Sequence, residues 1–193
     1  MNNNLNTFKS KLDKVINKFN ATSKMSFNQL ILTVNIDNLV NLLSFLKNDE
    51  FFSFDTLIDV TAIDNSELEN YSARFTVVYN LLSTSKNHRL RIFCDCASNN
   101  TIDSAVDLWP VANWLEREIF DMFGIIFLNH PDLRRILTDY GFKGFPLRKD
   151  FPVSGNTEVR YDPTVKRVVY EPISIAEREV IPRVKRETGY SKN

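Results

Sequence analysis

The sequence predicts an α+β domain, in which a small mixed sheet of about four strands is covered by helices and followed by an extended irregular C-terminal arm. Two observations predict the domain: apolar residues recur at helical spacing near both ends of the first 124 residues, and strand-like runs lie between them. A third predicts the arm, because six of the seven prolines fall in the last third of the chain. Each proline removes a backbone donor and restricts its predecessor to extended conformations, which limits regular structure there.

The first elements follow in order from the front of the chain. Apolar positions spaced three and four apart predict an amphipathic helix over residues 5–19. Residues 29–36 alternate toward a strand, and residues 38–48 form the next predicted helix, with Asp37 as its candidate N-cap. Residues 56–62 are the second predicted strand.

Two more strands and a longer helix complete the domain. Residues 73–82 and 89–97 are strand-like, and the polar stretch 83–87 between them predicts a hairpin connection. Pro110 suits the first turn of a helix, and Gly124 is a natural C-terminal stop for it. The domain is therefore predicted to end at residue 124.

The predicted arm, residues 125–193, contains too many apolar side chains for a disordered tail. Since it lacks a helical or strand period, it is most simply ordered by lying on another surface, either domain 1–124 or a partner protein. From His130 onward the chain has 13 basic and 9 acidic residues, against 11 and 15 before it. A neutral chain with a basic arm argues against a dedicated nucleic-acid binder and favours docking to a complementary protein surface.

The helix that ends at Gly124 carries a row of charge beside its apolar stripe. Arg117 and Asp121 stand four residues apart, so they can form an ion pair across one turn, and Glu116 and Glu118 flank them. The alternative interpretation is an ordinary solvated helix face.

Charged residues of the arm lie among aromatic residues rather than in polar surroundings. A guanidinium can hold a carboxylate by two hydrogen bonds, and a desolvated pair of this kind can dominate an interface. The alternative is surface pairing, worth about 0–1 kcal/mol. We favour the interface, with Asp132 also able to cap a short turn. The charged residues in question are Asp132, Arg134, Arg135, Arg148, Lys149 and Asp150.

Other candidate chemistry is sparse. An iron–sulfur cluster usually needs four thiolates, and the chain has two cysteines, Cys94 and Cys96, which we expect to point to opposite faces of a strand and to hold no metal. His88 is expected to be a solvated turn residue, and His130 to pack, cap or lie at an interface. With five glycines and no Gly-rich loop, the sequence predicts no site for NADH or flavin.

No run of residues approaches the roughly 20 apolar positions that cross a bilayer, so membrane association is expected through partners. The N-terminus has neither the apolar core of a secretory signal nor the arginines of a transit peptide. Heavy use of Asn, Phe, Ile and Lys, with little Gly and Ala, is typical of an AT-rich genome.

Three linked blocks carry a resemblance to a known family. They are EREIFDMFG at 116–124, HPDLRRIL at 130–137 and PLRKD at 146–150, and the pattern continues through 158–162. Together they resemble the signature of the 30 kDa-type subunit of respiratory complex I, the proton-pumping NADH:ubiquinone oxidoreductase. In that family it is the C-type subunit of the bacterial enzyme and subunit 9 where mitochondria encode it.

The resemblance implies a noncatalytic core subunit of the peripheral arm, with no cofactor of its own in a complex that carries FMN and iron–sulfur clusters. Its implied partners are the large quinone-site subunit and neighbouring iron–sulfur subunits. With the AT-rich composition, it implies the matrix side of the mitochondrial inner membrane; the alternative is the cytoplasmic face of a bacterial inner membrane. The predicted interface residues are Glu116, Arg117, Asp121, His130, Asp132, Arg134, Arg135, Arg148, Lys149, Asp150, Arg160 and Tyr161.

Two other interpretations stay open. One is a stand-alone soluble enzyme with a site around His130, Asp132, Glu116 and Glu118. The other is a related subunit of a membrane-bound hydrogenase or of the plastid NAD(P)H dehydrogenase, although the block at 134–142 is more similar to the respiratory form.

Overall fold

The computed structural model, which describes residues 2–69, 71, 73–96 and 99–175, contains a five-stranded mixed sheet. Its strands are β1 (Thr22–Ser26), β2 (Gln29–Val34), β3 (Thr56–Asp64), β4 (Phe75–Ser83) and β5 (His88–Asp95). They lie in the order β1-β2-β5-β4-β3, with β2 and β5 parallel and the other pairs antiparallel. The predicted α+β class with a mixed sheet is confirmed, and the sheet has one strand more than the four expected.

The additional strand is β1, whose sequence TSKMS shows no apolar alternation that would predict it. It joins β2 through Phe27 and Asn28, which have φ angles of 46° and 59°. Positive φ at both central residues is what a two-residue hairpin turn requires. The four predicted strands correspond to β2–β5, while Ala97, at the end of the last one, lies outside the described residues.

Three α-helices of the described residues accompany the sheet. They are α1 (Asn2–Ile16), α2 (Leu39–Asn48) and α3 (Ala112–Phe123). The prediction that Asp37 caps α2 is wrong, because a short 3-10 helix over Ile36–Asn38 precedes α2 and contains Asp37. Asn38 occupies the N-cap position without a side-chain hydrogen bond. Gly124 ends α3 in the left-handed conformation, as predicted.

The three helices contribute to one hydrophobic core on one face of the sheet. Cys94 and Cys96 lie in this core. The expectation that their side chains point to opposite faces is wrong, because residues two apart on an extended chain share a face. Other members of the core are Phe8, Leu12, Leu30, Leu32, Leu42, Leu43, Leu46, Tyr79, Ile92, Ile119 and Met122.

His88 is not the solvated turn residue expected. It begins β5, and its ring centroid lies 4.4 Å from that of the buried Phe8. Burial lowers the pKa of His88, with a smaller contribution from the charge of Lys86. The side chain therefore packs against α1.

The chain after α3 belongs to two units, residues 1–151 and 152–193. In the first unit, β6 (Thr101–Asp103) pairs in parallel with β7 (Ile126–Leu128), so the chain past residue 124 continues to pack in that unit. In the second, β8 (Thr157–Asp162) and β9 (Arg167–Pro172) form an antiparallel hairpin. The end of the predicted arm, residues 176–193, lies outside the described residues. Among those described, no helix is both long enough and apolar enough to span a membrane.

Candidate partner-binding surface

Three charged side chains of α3 are buried rather than solvated. Glu116 and Asp121 have no exposed surface, and Arg117 is 7% exposed. Arg117 and Asp121, which could pair across one turn, bind other partners. Arg117 donates to the carbonyl oxygens of Arg134 at 3.1 Å and Arg135 at 3.2 Å. Asp121 instead pairs with Arg135. These side chains fix the segment that follows the helix, which we call the anchored segment, residues 130–151.

The carboxylate of Asp121 is the centre of this attachment. Its Oδ2 accepts the backbone N–H groups of Ile136 (3.1 Å), Leu137 (2.8 Å) and Thr138 (2.8 Å). Its Oδ1 accepts Arg135 Nη1 at 2.6 Å and Thr138 Oγ1 at 2.5 Å. Burial alone would raise the pKa of Asp121, but the hydrogen bonds from Thr138, Arg135 and Leu137 bring it well below its usual range. Asp121 is therefore ionised and holds a bend of the anchored segment.

Both terminal nitrogens of Arg135 donate hydrogen bonds within the chain. Besides Asp121, its Nη2 donates to the carbonyl oxygen of Gly144 at 3.1 Å. Its guanidinium carbon lies 5.4 Å from the ring centroid of Phe145 and 5.8 Å from that of Phe142. Arg135 therefore binds its own chain, and the interface role predicted for it stays a prediction.

Arg148 binds the C-terminal end of α3. Its Nε donates to the carbonyl oxygen of Phe123 at 2.5 Å, and its guanidinium lies 4.1 Å from the ring centroid of Phe145 and 5.3 Å from that of Phe75. Gly124 has a φ of 73°, and a Cβ there would overlap the Arg148 guanidinium and the Phe145 ring. Glycine is therefore required both by the turn and by this close approach.

Lys149 and Asp150 extend the attachment to the end of β3. The backbone N–H of Lys149 donates to Asp64 Oδ2 at 2.9 Å, and Asp150 pairs with Arg74 at 2.7 Å. Burial would raise the pKa of Asp64, but hydrogen bonds from Lys149 and Ser66 lower it below its usual value. Sequence reasoning missed Asp64, since nothing in a strand-terminal aspartate indicates a partner 85 residues away.

Glu116 binds a different part of the chain, Ser104 and Ala105. Its Oε1 accepts the N–H of Ala105 at 2.7 Å, and its Oε2 accepts Ser104 Oγ at 2.6 Å. Burial raises the pKa of Glu116 to about 7, against the opposing effect of these two hydrogen bonds. In the described part of the chain, no basic side chain pairs with it. Glu116 therefore connects α3 to the turn after β6.

His130, Asp132 and Arg134 form a group at the surface. The N–H of Asp132 donates to His130 Nδ1 at 3.0 Å, so Nε2 carries the proton and donates to the carbonyl oxygen of Asn113 at 3.1 Å. Arg134 pairs with Asp132 at 2.8 Å, and both side chains are about half exposed. Of the packing, capping and interface roles predicted for His130, these hydrogen bonds are those of a cap on the N–H of Asp132, and the charged pair is open to solvent.

The residues of the alternative enzyme site are not brought into one hydrogen-bonded group. Glu116 is buried against Ser104, Glu118 is exposed, and His130 caps Asp132. Within the described residues, no three His, Cys, Asp or Glu side chains cluster as metal ligands would. Burial raises the pKa values of the Cys94 and Cys96 thiols to about 12.

Arg160 and Tyr161 lie on opposite faces of the β8–β9 hairpin. Arg160 pairs with Glu171 at 2.5 Å on the polar face. The other face is apolar, because Tyr161 stands opposite Val168 and Val159 stands opposite Tyr170. These four side chains are each more than half exposed.

Four large apolar side chains are also exposed on α3 and the anchored segment. They are Trp114 (69%), Leu137 (63%), Tyr140 (87%) and Leu147 (53%). Together with the open pair of Asp132 and Arg134, they have the composition of a protein interface, in which aromatic residues and arginine are enriched.

The family model that describes the respiratory-chain NADH dehydrogenase 30 Kd subunit matches residues 32–157 of this chain. The chain belongs to this family. The C-type subunit of NADH-quinone oxidoreductase from Cupriavidus pinatubonensis is 44% identical over 191 residues, which cover 96% of each chain. The corresponding subunit from Hyphomonas neptunium is 54% identical over 149 residues, or 77% of this chain and 72% of the relative.

A solved structure supports the assignment of this chain to the 30 Kd subunit family. It is a trypsin-resistant fragment of Nqo5, which is 25% identical and superposes with a TM-score of 0.58. The match covers 65% of this chain and 98% of the fragment. The three sequence blocks that carried the resemblance therefore identified the family correctly.

Proposed function

We propose that the chain is a noncatalytic subunit of the peripheral arm of NADH-quinone oxidoreductase, which transfers electrons from NADH to quinone and couples this to proton translocation. The observation that carries the proposal is the 44% identity to a C-type subunit of that enzyme, which extends over 96% of both chains. Such a match leaves little of the chain for a separate activity.

The docking surfaces are the exposed part of α3 with the anchored segment, and the apolar face of the hairpin. A two-stranded hairpin with one open apolar face is marginally stable by itself in water, so a partner surface is the natural means of covering it. The predicted partners are the large quinone-site subunit and the neighbouring iron–sulfur subunits. The open charges of Asp132 and Arg134 suit orientation of a partner more than binding strength.

The chain binds neither FMN nor an iron–sulfur cluster in this proposal, and those groups belong to its partners. Its two cysteines are fewer than the four thiolates that a cluster usually needs. The two relatives named above are bacterial, which suits the cytoplasmic face of a bacterial inner membrane, whereas the AT-rich composition suits the mitochondrial matrix side. Fractionation of the source cells distinguishes the two.

Charge reversal on the anchored segment tests the proposed role. Arg135→Glu and Arg148→Glu should lower the amount of assembled complex, measured on native gels, more than they lower NADH:quinone turnover per assembled complex. Lys143→Glu, at an exposed position of the same segment, is the control and should leave assembly unchanged. Normal assembly of the two arginine variants with abolished turnover would contradict a noncatalytic role.

A further inference from the structure

Phe27, in the turn between β1 and β2, is the most exposed large apolar side chain among the described residues of the first unit. Its exposed fraction is 102%, whereas the others that are exposed in that part of the chain range from 42% to 87%. The residues on either side of it, Ser26 and Asn28, are small and polar. The phenyl ring is therefore left in water by its own chain.

The backbone at this position also disfavours a bulky residue. Phe27 has a φ of 46°, in the left-handed region, where the Cβ of an L-residue lies too close to the next carbonyl oxygen. Asparagine and glycine are the residues that a two-residue hairpin turn favours there. Eight non-glycine residues of the described chain have a positive φ; five of them are asparagines, and the others are Ser53, Lys166 and Phe27. The turn geometry therefore does not explain a phenylalanine.

The strand that leads into this turn does not explain it either. β1 is an edge strand of the sheet, and none of its five residues is buried. A fully exposed aromatic ring on a left-handed backbone destabilises the isolated chain in two ways, and core packing of β1 does not compensate for it. Residues held in such disfavoured backbone conformations cluster at binding sites. The combination indicates that Phe27 acts outside its own chain.

The surroundings of Phe27 favour a protein pocket over a lipid surface. Because β2 and β5 are parallel, the turn before β5, residues 84–87, lies at the same end of the sheet as Phe27. The residues of that turn, Thr, Ser, Lys and Asn, are all polar and exposed. Binding to a lipid surface grows with the apolar area that is buried, and one ring beside a polar turn offers little of it. In a protein interface, by contrast, a single aromatic side chain in a pocket can supply much of the binding energy.

A cavity of this chain does not suit the ring of a second copy. The cavity, of about 240 Å³, has charged and amide side chains in its lining, which include those of Gln29, Asp59, Asn80, Arg89 and Arg91. A phenyl ring placed there would remove these polar groups from water without giving them hydrogen bonds. The family to which the chain belongs is that of a subunit of a respiratory-chain enzyme, so the surface of another subunit is the more suitable partner.

We propose that Phe27 is a binding anchor whose ring enters an apolar pocket of another subunit of the same assembly, with the polar residues around it at the rim of the contact. The tight turn holds the ring in position before binding, so little conformational entropy is lost when the pocket closes on it. The proposal rests on the proposed function for the presence of an assembly, but it assigns a contact that the docking surfaces of that function do not include.

A matched pair of variants tests the anchor, because stability and binding should change in opposite directions. Phe27→Asn supplies a residue that the turn favours, so it should raise the thermal unfolding midpoint of the purified full chain by about 2–4 °C. In the complex it should weaken retention of the chain during salt extraction by at least about tenfold. Asn28→Gly keeps the ring and suits the same positive φ, so it should leave retention unchanged.

Equal retention of the two variants would overturn the anchor and leave the proposed function intact, whereas failure of the unmodified chain to enter the complex would overturn both. A lower midpoint for Phe27→Asn would also contradict the anchor, since the ring would then stabilise its own chain.

Photo-cross-linking identifies what the ring contacts. The full chain with p-benzoylphenylalanine in place of Phe27, irradiated in the assembled complex, should become joined to one other subunit at an apolar segment, located by mass spectrometry. Joining to lipid, to a second copy of the chain or to no partner would each overturn the proposal.

Discussion

The anchored segment (130–151) and the hairpin (157–172) share a composition of prolines, aromatic residues and arginines, yet they are ordered by different means. In the anchored segment, three backbone N–H groups bind Asp121, and two carbonyl oxygens bind Arg117. In the hairpin, the hydrogen bonds run between its own two strands, and one apolar face is exposed. Composition alone therefore does not show whether a segment is fixed by its own domain; the hydrogen bonds of the buried charges on α3 do.

Both regions belong to residues 125–193, which the sequence predicts as one extended partner-binding arm. The sequence left two surfaces open for residues 125–193, their own domain or a partner protein. For the stretch through residue 151, the structure shows the first, since Arg148 and Leu147 bind the last carbonyl groups of α3. The role of partner contacts stays a prediction for both regions.

The largest expected effect follows from removal of the charge at the centre of the anchored segment. Asp121→Asn replaces one acceptor oxygen by a donor amide and leaves Arg135 half-buried without its counter-ion. We expect a loss of about 3–5 kcal/mol in the free energy of unfolding, measured by chemical denaturation of the full chain.

Asp132→Asn is the matched control for this change, because Asp132 is also paired with an arginine but is about half exposed. It should leave the unfolding midpoint unchanged. Equal destabilisation by the two variants would mean that burial of Asp121 does not set the strength of the attachment.

Glu116 should make stability depend on pH. Its pKa is about 7 in the folded chain, above the ordinary 4.5, so the stability it contributes is complete below about pH 4.5 and is lost as the pH rises through 7. We expect the unfolding free energy to fall by about 3 kcal/mol from this group between acid and mildly alkaline pH. Glu116→Gln, which cannot ionise, should remove that part of the pH dependence; an unchanged pH profile would contradict a raised pKa.

Substitution of Gly124 should destabilise the contact between the end of α3 and the anchored segment. Gly124→Ala places a Cβ against Arg148 and Phe145 at a positive φ, and we expect about 2–3 kcal/mol of destabilisation. Gly141→Ala is the control in the anchored segment, because no atom lies within 4 Å of a Cβ there. A thermal unfolding series of the two variants measures the difference, and equal midpoints would show that the anchored segment can move aside without loss.

The smallest effect on stability is expected in the hairpin. Val168→Lys alters the apolar face and should change the unfolding free energy of the isolated chain by no more than about 0.5 kcal/mol, because the side chain is already exposed. In the complex it should lower the assembled fraction, whereas Val165→Lys in the hairpin turn should not. Loss of stability in the isolated chain would show that the face is already covered.

Much of the first unit could be predicted from periodicity, because α2, β2 and α3 bury one regular face each. The partners of Asp121 could not, since they lie 14–17 residues away in a stretch without a repeating pattern. The hairpin did leave a signal that was missed: Asp162 and Pro163 begin a turn, with Asp162 Oδ1 accepting the N–H of Thr164 at 2.7 Å. The prolines of the last third argue against regular structure there, although the residues on either side of this turn alternate.

Amide hydrogen exchange of the full chain without partners measures the difference between the two regions most directly. We expect the amides of Ile136, Leu137 and Thr138 to be protected nearly as well as those of α3, and the hairpin amides to exchange much faster. Exchange at Ile136–Thr138 as fast as in the hairpin would contradict attachment of the anchored segment by the buried charges of α3.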